Sequence, residues 1–191
     1  MKKLKDNDIR QVVLRQLHEY YPKETNTKIV NEMGILHGQS RIDIAVINGI
    51  LHGFEIKSES DTLQRLPLQM EDYNKVFDRM TIVVQQNFLK DVRRIVPNWW
   101  GIWLVTQNEG TIHLKEIRKG KLNKNVDPES LSHLLWRDEA IDILKEKGLH
   151  KGFLSKPRQI LYQRLAKHIN LSELKFTINE RLKLREGWKV H

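Results

Sequence analysis

Cysteine is absent from this chain of 191 residues, which excludes a disulfide framework and any thiolate metal site. Long apolar runs are missing too. No stretch approaches the length of a membrane-spanning helix, and the opening Met1-Lys2-Lys3-Leu4-Lys5-Asp6 has no apolar segment of the secretory kind, so a cytoplasmic location is expected. Without a Gly-x-x-x-x-Gly-Lys-Ser/Thr run there is no built-in P-loop ATPase. The eight histidines are scattered and show no His-Glu-x-x-His or comparable ligand spacing. No Ser/His/Asp arrangement stands out. Carboxylates and cations are what remain for chemistry.

The cations are in surplus and unevenly placed. Net charge is +9, of which residues 151–191 carry +7 through ten Lys or Arg against three Glu. A locally basic module is the electrostatic footprint of a polyanion partner, so nucleic acid is the expected partner. A solvated helical face tuned for solubility is the bland alternative.

Two strand-like runs concentrate the chemistry. Arg41-Ile42-Asp43-Ile44-Ala45-Val46-Ile47 and Ile50-Leu51-His52-Gly53-Phe54-Glu55-Ile56-Lys57 flank Asn48-Gly49, the strongest short-range hairpin signal. Ionised Asp, Glu and Lys have no reason to sit inside apolar runs unless they line a site, because burying unpaired charge is costly. A plain two-residue turn would put Asp43 opposite Phe54 and leave Glu55 on the other face. A three-residue loop Ile47-Asn48-Gly49, with Gly49 in a left-handed bulge, pairs Val46 with Ile50 and brings Asp43, Glu55 and Lys57 onto one face. The other face then reads Ile42, Ile44, Val46, Ile50, His52, Phe54, Ile56, almost wholly apolar, as packing on a core requires. Two carboxylates beside a lysine are the minimum kit for a divalent-metal phosphodiesterase. The competing reading is an amphipathic hairpin with a merely charged outer face.

Asp43, followed after a hairpin by Glu55-Ile56-Lys57, resembles the signature of the PD-(D/E)XK nuclease superfamily. The run from Ile29 to Phe77, about a quarter of the chain, is similar to a bacterial and phage branch of it. The likeness rests on Val30-Asn31-Glu32, Arg41 to Val46, Gly53 to Ser58, Asp61 to Pro67 and Gln69 to Asn74. No proline precedes Asp43, where the superfamily name puts one. The resemblance implies a restriction-endonuclease-like α/β fold with an αβββαβ core and a mixed central sheet. It also implies Mg²⁺, with Mn²⁺ as substitute, held by Asp43, Glu55 and the Ile56 carbonyl with help from Glu32, while Lys57 positions the nucleophilic water. Gln69 and Tyr73 form a Gln-x-x-x-Tyr pair on one helical face, which lines the site in RecB-like members. Glu32 as a surface residue and Tyr73 as packing are the alternatives.

The order of elements agrees. A helix is expected over Asp8 to Tyr20, a strand over Lys28 to Leu36, then the hairpin, then helix over Asp61 to Arg79 broken near Pro67. Thr81 to Val84 reads as a buried strand and Leu89 to Val96 as a short helix. A second hairpin follows, Trp100 to Val105 and Thr111 to Ile117, turning at Asn108-Glu109-Gly110. Residues 1–120 are the expected nuclease core and 121–191 a basic helical region, with Lys121 to Val126 as linker. A helix is expected from Asp127-Pro128 to Lys147, another from Ser155-Lys156-Pro157 to Ile169, and a last one to Arg185 after a three-residue turn at Asn170-Leu171-Ser172. The last two resemble a helix-turn-helix presenting Arg181, Lys183 and Arg185.

Arg41, Ser58 and Arg65 are candidate phosphate contacts; Arg41 pairing with Glu55, and capping by Ser58 with Asp61, compete with that role. Trp99, Trp100 and Trp103 offer base stacking or, more commonly, core packing. The expected activity is Mg²⁺-dependent hydrolysis of DNA, by an endonuclease or exonuclease acting alone, as a homodimer or with a protein partner. A non-catalytic nucleic-acid-binding module and a partner-dependent subunit of a defence or mobile-element system are the rivals.

Overall fold

The computed structural model describes residues 4–21 and 26–186; the opening Met1 to Lys3 and the end of the basic region, 187–191, lie outside the described residues. Helix α1 (Asp6–Tyr20) is followed by strands β1 (Lys28–Ile35), β2 (Ser40–Ile47) and β3 (Leu51–Lys57), helix α2 (Leu66–Val76) and strand β4 (Arg79–Gln85). Helix α3 (Gln86–Ile95), strands β5 (Gly101–Asn108) and β6 (Thr111–Arg118), and helices α4 (Pro128–Ser132), α5 (Arg137–Glu146), α6 (Arg158–His168) and α7 (Leu171–Leu184) complete the chain. The strands form one six-stranded sheet in sequence order. β3, β4 and β5 run parallel and the remaining pairs antiparallel, so the sheet is mixed.

Side chains alternate across this sheet and feed two apolar clusters. Ile44, Val46, Phe54, Ile56, Val83, Trp103 and Val105 pack with Ile9, Val13 and Leu17 of α1. Ala45, Ile47, Leu51, Ile82, Val84, Ile102 and Leu104 pack with α2, α3 and the later helices. Ile42, expected with the first set, joins the second. The ladder is interrupted beside it: β1 pairs Asn31 with Ile44 and Met33 with Ile42, leaving Glu32 between them at φ 52°.

The first hairpin keeps the expected parity but not the expected loop. Ile47 pairs with Leu51, so the three loop residues are Asn48, Gly49 and Ile50, not Ile47 to Gly49. Gly49 is left-handed at φ 69° as required, and the Asn48 N–H donates to the Ile50 carbonyl at 3.1 Å. This register buries Ile47, which the expected loop would have left at the tip. The second hairpin turns on two residues, Glu109 and Gly110, both at positive φ, because Asn108 pairs with Thr111.

The helices also differ from expectation. α2 begins only at Leu66, with Pro67 in its first turn; the preceding stretch is held by the Asp61 carboxylate, which accepts from the Ser58 N–H at 2.8 Å and the Ser58 hydroxyl at 2.7 Å. The helix expected over 127–147 is two, α4 and α5. Leu131, Leu134 and Leu135 form one buried set and Ala140, Ile143 and Leu144 another, and on one straight helix the two sets would fall on opposite faces; Glu139 caps a new start by accepting from the Trp136 N–H at 2.7 Å. α6 and α7 are joined by two residues, Ile169 and Asn170, and the Asn170 side chain caps α7 by accepting from the Glu173 N–H at 3.0 Å.

Residues 121–126 are no free linker. The Asn123 amide donates to the carbonyls of Asn74 at 2.7 Å and Phe77 at 3.0 Å, satisfying the end of α2, and Val126 is buried. Core residues on both sides of residue 120 belong to one cluster, from Val30 to Leu182. Two further ties close the molecule. Lys175 of α7 pairs with the buried Asp78 at 2.7 Å, and Lys28 at the start of β1 donates to the carbonyls of Lys183, at 3.0 Å, and Arg185.

Candidate active site

β3 is buried along its whole length, yet carries Glu55 and Lys57, which are 2% and 8% exposed. Their carboxylate and ammonium meet at 2.6 Å. α2 lies over them and presents Gln69 and Tyr73 one turn apart. Gln69 donates to Glu55 Oε1 at 2.8 Å and accepts from Lys57 Nζ at 3.1 Å. The Tyr73 hydroxyl lies 2.8 Å from both Glu55 Oε2 and the Arg41 carbonyl. The two residues expected from the Gln-x-x-x-Tyr spacing therefore reach the carboxylate together.

Asp43 faces the same opening from β2. The β2–β3 ladder pairs Ile44 with Phe54 and is not continued, and beyond it the Ile56 N–H donates to Asp43 Oδ2 at 2.8 Å. In an extended strand the N–H and C=O of one residue point to the same side, so the Ile56 carbonyl faces this opening as well. Glu32 comes from the left-handed bend of β1, with its carboxylate 3.6 Å from Arg41 Nη1 and 4.0 Å from Arg10 Nη2. A non-glycine residue in that conformation costs about 1–3 kcal/mol, a strain that clusters at functional sites.

Arg10 of α1 is the site residue that sequence reading missed. Its guanidinium donates to Asp43 Oδ1 and to the Asp43 carbonyl, both at 2.8 Å, and to Asp6 Oδ1. The available signal was local: Asp6 and Arg10 stand at i, i+4 on the polar side of α1. Nothing in the sequence said which strand that side would meet.

Electrostatics single out the carboxylate pair. Burial pushes Glu55 up to about 7 and the nearby charge of Asp43 adds to the shift, outweighing Lys57 and the Tyr73 hydroxyl. Asp43 is also raised, chiefly by burial, although the Ile56 N–H and Arg10 oppose it. Burial, then Glu55, moves Tyr73 far above the ordinary phenol range, so its hydroxyl stays protonated. A buried carboxylate raised by the charge of a part-buried one, with a backbone carbonyl beside them, gives the hard oxygen donors that suit a divalent cation. Asp43, Glu55 and the Ile56 carbonyl thus fit Mg²⁺ or Mn²⁺. Glu32 stands apart, on the far side of Arg10: among the described residues no three His, Cys, Asp or Glu side chains converge as a ready metal shell.

The other expected contacts lie elsewhere. Arg41 is half exposed at the rim beside Glu32. Ser58 is fully buried in its turn with Asp61, and Arg65 is exposed just before α2. The C-terminal cations are engaged within the fold: Arg181 with Glu146, Lys183 with Glu180 at 2.7 Å, and Arg185 with Glu139 and the Leu134 carbonyl, its guanidinium 4.2 Å over the Trp136 ring. Trp100 is buried and Trp99 packs against the same core, so both are packing residues, while Trp103 is buried in the cluster on the α1 face.

Among known proteins, the chain is similar to Protein cII of Enterobacteria phage P4, 30% identical over 125 residues, or 65% of this chain and 47% of that protein. It therefore spans about half the length of the curated relative it matches. A solved structure of a protein of unknown function from Silicibacter pomeroyi aligns with 18% identity and a TM-score of 0.45, covering 78% of this chain and 94% of that one. The family described as Bacteriophage P4 protein cII matches residues 1–187, so nearly the whole chain, including every residue of the site above, falls within the match. The chain belongs to the bacteriophage P4 protein cII family.

Proposed function

We propose that this protein is a metal-dependent nuclease of the PD-(D/E)XK kind, with a restriction-endonuclease-like core, that hydrolyses phosphodiester bonds of DNA. The observation that carries the reading is the convergence of Asp43, Glu55 and Lys57 under Gln69 and Tyr73 at one opening of the sheet. Mg²⁺ bound by Asp43, Glu55 and the Ile56 carbonyl would supply a Lewis acid and lower the pKa of a bound water. Lys57 supplies a buried cation for charge that develops on the phosphate, a role worth about 10²- to 10³-fold in rate. Gln69, bonded to both Glu55 and Lys57, fixes their spacing, and Tyr73 pins the second Glu55 oxygen. Arg41 at the rim meets the phosphate backbone.

Arg10 favours a second reading. A guanidinium against Asp43 competes with a metal for that carboxylate, as expected of a subunit that becomes active only when a partner or substrate displaces it. Cleavage of labelled single- and double-stranded DNA with Mg²⁺ or Mn²⁺, together with calorimetric titration of Mn²⁺, tests both. Lys57→Ala is expected to lose about 10²- to 10³-fold in rate with metal still bound, and Asp43→Asn to lose metal affinity as well. Equal cleavage by wild type and both variants overturns the assignment. Metal bound without cleavage by the wild type selects the partner-dependent reading.

A further inference from the structure

The sheet carries a second concavity, on its α1 face and away from the carboxylates. It encloses about 240 Å³ between the end of α1 and the start of β3 and β4, below the roughly 300–1,000 Å³ of drug-sized sites, so it suits one ring system. Tyr20, Tyr21, Phe54 and Trp103 supply aromatic walls. Phe54 stacks on His52 at 4.2 Å and meets Trp103 at 5.3 Å, so the walls hold one another in place. The polar lining comes from His52, Thr81, Arg79, Glu116 and Lys119.

Arg79 is the group that asks for a ligand. It is half-buried, and among the described residues its guanidinium pairs with no carboxylate and its Nε has no hydrogen-bond partner. Beside it, His52 is buried and held neutral, its pKa lowered to about 3 by burial and by Arg79. The imidazole Nε2 is 2.9 Å from the Thr81 hydroxyl, while Nδ1 has no partner. A guanidinium without an anion, set against aromatic rings, offers a phosphate contact next to a stacking surface. Lys119 at the mouth adds a second cation, and Glu116 there adds an acceptor for hydroxyl or amino groups.

We infer that this pocket binds a single nucleotide unit, its base against the aromatic walls and its phosphate on Arg79 and Lys119. The unit is either a free mononucleotide or one nucleotide of a single strand. His52 and Lys57 are five positions apart on β3, about 16 Å of strand, and their side chains lie on opposite faces, so one nucleotide cannot touch both sites. The inference does not depend on the nuclease reading.

Calorimetry with the four deoxynucleoside 5′-monophosphates and the matching nucleosides, and anisotropy with a short labelled single strand, test it on the full chain without divalent metal. A mononucleotide is expected to bind, its nucleoside about tenfold or more weaker, and Arg79→Gln to lose a similar factor. Lys119→Gln and the exposed Tyr20→Ala, which leave the core intact, should each weaken binding, and Asp43→Asn should not. Competition of the strand with the mononucleotide assigns the site to strands, and mononucleotide binding alone assigns it to free nucleotide. No binding of either ligand, nucleoside binding as tight as nucleotide, or binding indifferent to Arg79, Lys119 and Tyr20 overturns the proposal.

Discussion

At the residue scale, Glu55 sets the character of the site. Its proton is held up to about pH 7 in the folded protein, against an ordinary value of 4.5, so between these values the folded state keeps a proton that the unfolded chain has released. The associated stability is complete below the lower value and is lost as pH rises through the upper one. In the absence of divalent metal, the melting temperature of wild type should therefore fall relative to Glu55→Gln between pH 5 and 7.5. A constant difference across that range would mean that Glu55 does not titrate there. A bound cation favours the charged carboxylate, so Mn²⁺ should flatten the wild-type slope. Parity made this residue legible in the sequence: only an odd loop puts Asp43, Glu55 and Lys57 on one face. Arg10 was illegible, because a helix's polar side says nothing of what it docks against.

At the element scale, close approach replaces chemistry as the constraint. A Cβ on Gly53 would stand 2.5 Å from Met80 Sδ and 3.1 Å from the Phe77 ring, so β3 passes β4 and the end of α2 only because that position is bare. Gly53→Ala should cost about 1–3 kcal/mol in urea unfolding, through overpacking. Arg185, which sequence reading assigned to nucleic acid, is 7% exposed and pairs with Glu139. Arg185→Ala should lose about 3–5 kcal/mol of stability, as broken buried pairs do, and leave the salt dependence of DNA binding unchanged. A weakened salt slope in a normally stable variant would restore the earlier assignment. Basic composition could not reveal this, since pairing partners such as Glu139 and Glu146 lie some 35–46 residues away in the chain.

At the scale of the whole molecule, one core unites what composition divides. The polar run 121–126 and the aspartate after it look like a linker because their polar groups serve as caps, with Asn123 closing α2 and Asp127 opening α4. Buried residues of α6 and α7, Leu161, Leu165, Leu174 and Ile178 among them, pack in the same cluster as Tyr73 and Val84. Removing residues 151–191 should therefore abolish cooperative thermal unfolding, followed by circular dichroism, and not merely weaken nucleic-acid binding. A truncated chain that still melts in one sharp transition would show that residues 1–150 fold alone. The strand order and the alternation of faces were legible because periodicity is local; the shared core was not, because it depends on which distant faces meet.

The latch between Lys28 and the end of α7 also bears on when the site is assembled during synthesis. Lys28 opens the strand that carries Glu32, and its acceptors lie 155 and 157 residues later. A chain leaving the ribosome has made every acidic residue of the site long before the helix that fastens that strand exists. Contacts of such sequence separation form late. The strand that carries Glu32 is therefore fastened at its start only after translation has passed Arg185.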